Sequence, residues 1–106
     1  MANANGYQVV WSFAASEDLA DLHAYIELDS PTAADRVIDI LLELGDSLTT
    51  YPYRHPIEEL LQDAPLEFRF LPKWNYKIIY HVEEAQQRVI IARIFDTRQD
   101  PSKLEI

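Results

Sequence analysis

Seven of the nine Lys and Arg side chains fall in residues 67–106, whereas residues 1–66 carry two, Arg36 and Arg54, against twelve carboxylates. Nearly all cationic chemistry is therefore confined to the last forty positions. Guanidinium groups grip phosphate or carboxylate through paired N–H donors, so a surface built there suits an anion or an acidic peptide. Arg69 and Arg93 are the central pair. Their spacing serves equally well for cross-strand ion pairs with Glu67, Glu83 or Asp96. His81 is a lone histidine between them, and Asp96 becomes a proton donor only where burial raises its pKa. His23 and His55 show no H-E-x-x-H spacing and the chain has no cysteine, so neither a metal site nor a cofactor is expected.

The remaining composition narrows the class. A chain of 106 residues, 48% hydrophobic and 25% charged, reads as one folded domain, residues 1–106. Two glycines, Gly6 and Gly45, cannot supply a phosphate-cradling loop, which needs several at fixed spacing. The net charge of −9 argues against non-specific adhesion to nucleic acid or anionic membrane. Apolar runs are too short to span a bilayer and no leader pattern opens the chain, which places it in the cytoplasm.

Local patterns then give the elements that must position these groups. Tyr7 to Phe13 is rich in β-branched and aromatic residues and predicts a strand. Ser16 offers a cap for a first helix with Ala15, Leu19, Leu22 and Ile26 on one face, running to about Leu28. Ser30-Pro31 opens a second helix whose seam is Ala34, Ile38, Leu41, Gly45 and Leu48, ended by Tyr51-Pro52. Tyr51 to Pro65 reads as a loop with a marginal helix around Ile57 to Leu61. From Leu66 the period becomes two, giving three strands in consecutive hairpins with turns at Pro72–Asn75 and Glu84–Gln87. The order is β-α-α-β-β-β, an α+β fold with a two-helix hairpin on one face of a mainly antiparallel four-stranded sheet.

Alternation assigns the faces. Leu66, Phe68 and Phe70, with Tyr76, Ile78, Tyr80 and Val82, are expected against the helices, and Ile90, Ala92 and Ile94 are expected buried on the last strand. The opposite side then displays Arg69, Lys77, His81, Arg93 and Phe95 as an uncovered cationic and aromatic surface. Trp74, in a hairpin turn, is an exposed indole suited to partner contact.

In this order the sequence resembles the RelE/ParE superfamily of bacterial toxins, also called plasmid stabilisation proteins. The resemblance rests on A-S-E-D-L-A-D-L-H-A-Y-I in helix 1, S-P-T-A-A opening helix 2, and Leu48 with Tyr51-Pro52. It continues through Arg69, the Tyr76-Lys-Ile-Ile-Tyr80 strand, and R-I-F-D-T-R-Q-D-P ending at Pro101. It implies a toxin neutralised by a cognate antitoxin, and one of two activities: inhibition of DNA gyrase, as in ParE, or ribosome-dependent mRNA cleavage, as in RelE. Under the second, Arg69 and Arg93 hold phosphate, and His81 or Asp96 transfers protons. Phe95-Asp96-Thr97-Arg98 stands where the nucleases keep a histidine or tyrosine, and the lysine-rich ribosome-binding patch is missing. The ParE-like branch is therefore preferred, with Arg69, Trp74, Lys77, His81, Arg93, Phe95 and Arg98 meeting target or antitoxin. A non-toxic binding remnant and self-association are the further possibilities.

Overall fold

The computed structural model describes residues 6–106. Its elements are β1 (Gln8–Trp11), α1 (Phe13–Glu27), α2 (Pro31–Asp46), β2 (Arg69–Lys73), β3 (Tyr76–Glu83) and β4 (Arg88–Asp96). The sheet order is β1-β4-β3-β2, with β2-β3-β4 an antiparallel meander and β1 added parallel to β4. This is the expected α+β arrangement, β-α-α-β-β-β. Among the described residues, no helix is long and apolar enough to cross a membrane.

Helix α1 starts three residues before the expected cap. Ser12, not Ser16, is the N-cap, its hydroxyl accepting from Ala15 N at 3.0 Å, because β1 stops at Trp11 and the chain turns at once. Ser30 caps α2 as expected, with Pro31 behind it. Ala15, Leu19, Ala34, Leu41, Gly45 and Leu48 are the buried helical positions. Gly45 permits the closest contact: a Cβ there would lie 2.2 Å from Cζ2 of Trp11, so the indole of β1 lies flush on α2 only because this side chain is absent.

Two face assignments are overturned. Helical contacts from the sheet come from Leu71, Ile78, Tyr80, Val89, Ile91 and Ile94. Phe68 and Phe70 therefore point away from the helices, and Arg69, opposite Tyr80, lies on the helical side. On β4 the register slips between Ile79 and Tyr80, so Ile79 faces Arg93 while Tyr80 faces Ile91. That bulge lets Val89, Ile91 and Ile94 share one face, which strict alternation forbids. It puts Ala92 on the other side, against the expectation that Ala92 shares a face with Ile94.

The far side of the sheet is not bare either. Phe68, Ile79 and Phe95 form a second core there, covered by Leu61, Ala64 and Leu104. The 51–65 segment reaches this side by running along β2: Ile57 bridges Arg69, and Glu58 N donates to Phe68 O at 2.8 Å. Only one short turn, Glu59–Leu61, remains of the marginal helix.

Candidate functional site

Arg69 and His81 lie at the end of the sheet where β2 begins, Arg69 on the face of Tyr80 and His81 on that of Phe68. They line a cleft of about 220 Å³ with Tyr53, Leu66, Glu67 and Val82. Arg69 Nη1 donates to His55 O at 2.7 Å and to Tyr53 O at 3.2 Å, and Nη2 to Glu67 Oε1 at 2.9 Å. The guanidinium also lies 5.4 Å from the centre of the Tyr53 ring. Three of its five N–H groups are thereby used inside the chain, leaving two for a ligand. His81 stacks edge-on to Phe68 at 5.4 Å, and burial lowers its pKa against the opposing pull of Glu83. The shift favours the neutral imidazole, the form that can accept a proton.

Arg93 is elsewhere. It leaves β4 on the face opposite that of Arg69 and two strands away, roughly 10 Å in the sheet plane, and its guanidinium turns round the edge of β4 to α1. Its Nε and Nη2 hold both oxygens of Asp18 at 2.8 and 3.0 Å, and Nη1 donates to Glu105 O. The hydrogen bond to Asp18 raises its pKa, so it is a fixed cation. No one phosphate spans Arg69 and Arg93.

Asp96 is also committed. Its carboxylate takes Arg98 Nε, Nη2 and N at 3.1, 2.8 and 2.9 Å, which lowers its pKa despite partial burial. This corrects the condition set for a proton-donating Asp96: the shift runs the opposite way. Asp96 and Arg98 instead line a second cleft, of about 370 Å³, with Asp18, Asp21, Leu22, Tyr25, Tyr76 and Ile94. Here α1 stands over the part of β4 that extends beyond β1.

Of the other expected contact residues, Trp74 is exposed at 53%. Its backbone holds φ = 52°, a left-handed conformation that is uncommon for a bulky residue, and Lys73 Nζ lies 4.9 Å from its ring centre. Phe95 is 7% exposed and belongs to the second core, so it is corrected from surface to packing residue. Lys77 donates to Glu58 Oε2 at 2.7 Å, with its ammonium 4.3 Å from the Phe70 ring centre. Glu58 is 2% exposed. That buried partner escapes a sequence reading, since a glutamate in Ile57-Glu-Glu-Leu-Leu61 looks like solvated surface. Asp18 escapes it as well, being seventy-five positions from Arg93. Among the described residues no cluster of three or more His, Asp or Glu could hold a metal ion.

Residues 9–101 match the model of the family described as "ParE toxin of type II toxin-antitoxin system, parDE". The chain belongs to that family, a ParE-family toxin of a toxin–antitoxin system within the RelE/ParE superfamily. It is similar in fold to a chain of the chromosomal ParDE system from P. aeruginosa, with TM-score 0.67 and 19% identity over 85% of this chain and 95% of that one. It is likewise similar to a chain of the RelBE2 toxin–antitoxin complex from Mycobacterium tuberculosis, with TM-score 0.61 and 19% identity over 91% and 97%. The sequence matches no curated protein.

Proposed function

We propose that this chain is a ParE-like toxin that inhibits DNA gyrase in the cytoplasm, serves plasmid stabilisation, and is neutralised by a cognate antitoxin. The family match over residues 9–101 carries the reading. It is supported by the dispersal of the groups a nuclease would need: Arg69 and Arg93 on opposite faces, and Asp96 held as an anion by Arg98. Contact through Trp74, Arg98 and the free donors of Arg69 needs no proton transfer. The test is a supercoiling assay with the purified chain and DNA gyrase. Inhibition relieved by the product of the adjoining reading frame is expected, and unaffected supercoiling at large excess overturns the reading.

One observation favours a second activity. Arg69 and His81 line the same cleft beside Tyr53, which pairs a phosphate-binding cation with a neutral imidazole. A ribosome-dependent endoribonuclease would use that pair alone, without Arg93 or Asp96. Cleavage of mRNA on translating ribosomes that disappears in Arg69→Ala identifies it, and intact mRNA eliminates it.

A further inference from the structure

Strand β4 spans Arg88–Asp96, but β1 accompanies it only over Arg88 to Ile91. Beyond that point side chains stand in for the missing strand: the Ser12 hydroxyl donates to Ala92 O at 2.9 Å, and Asp18 Oδ2 accepts from Ile94 N at 2.9 Å. On the other side Thr97 N bonds Asn75 O, so the alternation makes Phe95 and Arg93 the residues bonded to β3. Ile94 and Asp96 therefore turn both their N–H and their C=O away from β3. The Ile94 N–H is taken by Asp18, and the Asp96 C=O accepts from Gln99 N at 3.0 Å. Among the described residues, the Ile94 C=O and the Asp96 N–H have no partner.

That free pair has a direction. A residue of a parallel strand donates to the carbonyl of one residue and accepts from the amide two positions on, which is the pair left open here. An antiparallel strand needs both groups of one residue, and Ile94 and Asp96 each have one occupied. We infer that this half-edge, with the cleft between it and α1, docks an extended basic segment of a partner polypeptide, laid parallel to β4 in line with β1.

Charge fixes the chemistry of the occupant. Residues 13–46 carry nine carboxylates and one cation, Arg36. Asp18 and Asp96 are ion-paired, whereas Asp21, in the same cleft wall, has no ion-pair partner among the described residues. A Lys or Arg beside the pairing residue reaches Asp21 and lays its stem on Tyr25, which is 69% exposed. Backbone pairing supplies affinity and flanking side chains supply selectivity, as in strand addition generally. An acidic segment would meet like charge throughout the approach.

The inference rests on the toxin reading only in taking the partner to be the neutralising protein. The probe is the product of the adjoining reading frame, co-purified with the full chain. In the complex, the Asp96 amide is expected to exchange its hydrogen at least about tenfold more slowly than in the free chain. Asp21→Lys is expected to weaken the complex about tenfold at low salt, while Asp39→Lys, on the exposed side of α2 and contributing only to the hairpin's general field, weakens it much less. A complex with an unprotected Asp96 amide and full affinity in Asp21→Lys overturns the docking strip and leaves the toxin reading standing. Absence of any complex, with supercoiling still inhibited, overturns the neutralising partner and the strip together but not the activity. Protection of Asp96 that grows with concentration of the chain alone assigns the edge to a second copy and overturns the basic partner.

Discussion

Gly45 shows how one absent methyl group sets the position of a strand. Helix propensity favours alanine over glycine by about 1 kcal/mol, but the alanine Cβ would approach Trp11 to 2.2 Å and Ile91 to 2.8 Å. Overpacking costs about 1–3 kcal/mol and outweighs the propensity gain. Gly45→Ala is therefore expected to destabilise the chain, with a lower urea midpoint as the readout. Lys77 and Glu58 make the complementary case, because a carboxylate 2% exposed depends on its single cation. Lys77→Met alone should cost about 3–5 kcal/mol by stranding that charge, and adding Glu58→Gln should recover much of it. Equal stability of the single and double variants would contradict this account. The sequence disclosed Lys77 as a cation but not its use, since the choice between binding and structure depends on a partner nineteen residues away.

At the scale of elements, the segment from Tyr51 to Glu58 links helices to sheet through few contacts. Tyr80 OH donates to Pro52 O at 2.5 Å, Arg69 takes the carbonyls of Tyr53 and His55, and the His55 ring meets Tyr80 edge-on at 6.3 Å. Burial pushes the Tyr80 hydroxyl up to about 12, so it remains a donor at every physiological pH. The Nε2 of His55 is buried with no partner, and its pKa is lowered by burial and then by Arg54. A group whose folded pKa lies below its unfolded value of 6.5 contributes stability fully above that value and loses it as pH falls. The melting temperature should therefore drop between pH 7 and pH 5, and His55→Phe should flatten part of that drop. His81 contributes in the same direction and His23, raised by its hydrogen bond to Asp35, in the opposite one. A His55→Phe profile that superimposes on the parent would refute the assignment. Both helices and the three-strand meander were legible because their periods are strong and Ser30-Pro31 is an unambiguous start. The face of Phe68 and Phe70 was not, because both are apolar whichever core they enter, and only the second core beneath Leu61 and Leu104 takes them; Leu66, expected against the helices with them, is 50% exposed and enters neither core. The β4 face was hidden by a bulge that leaves no mark in a run apolar on both sides.

Across the whole molecule, the charge asymmetry of the sequence becomes a spatial one. The helical hairpin carries nine carboxylates and one cation, Arg36, while five of the nine cations, Arg69, Lys73, Lys77, Arg88 and Arg93, lie in the strands of the sheet. Many of those cations are internally paired: Arg69 with Glu67, Lys77 with Glu58, Arg88 with Glu83, Arg93 with Asp18 and Arg98 with Asp96. The anionic field of the hairpin is thus left without an equal counterpart, and association with a basic partner should slow steeply as salt is raised. Stopped-flow association at several ionic strengths would show this, and a salt-independent rate would refute it. The resemblance identified the family, but the placement of its arginines on opposite faces required coordinates.

The parallel seat of β1 has a consequence for the newborn chain. Among the described residues its only strand neighbour, Arg88 to Ile91, is made some eighty residues later. Until the last hairpin emerges during synthesis, the opening strand has no ladder to join and Trp11 must wait against α2 or in water. Such long-range closure is slow and exposes apolar side chains to aggregation, so a stalled or truncated product lacking β4 should be a poor folder and a ready target for proteases.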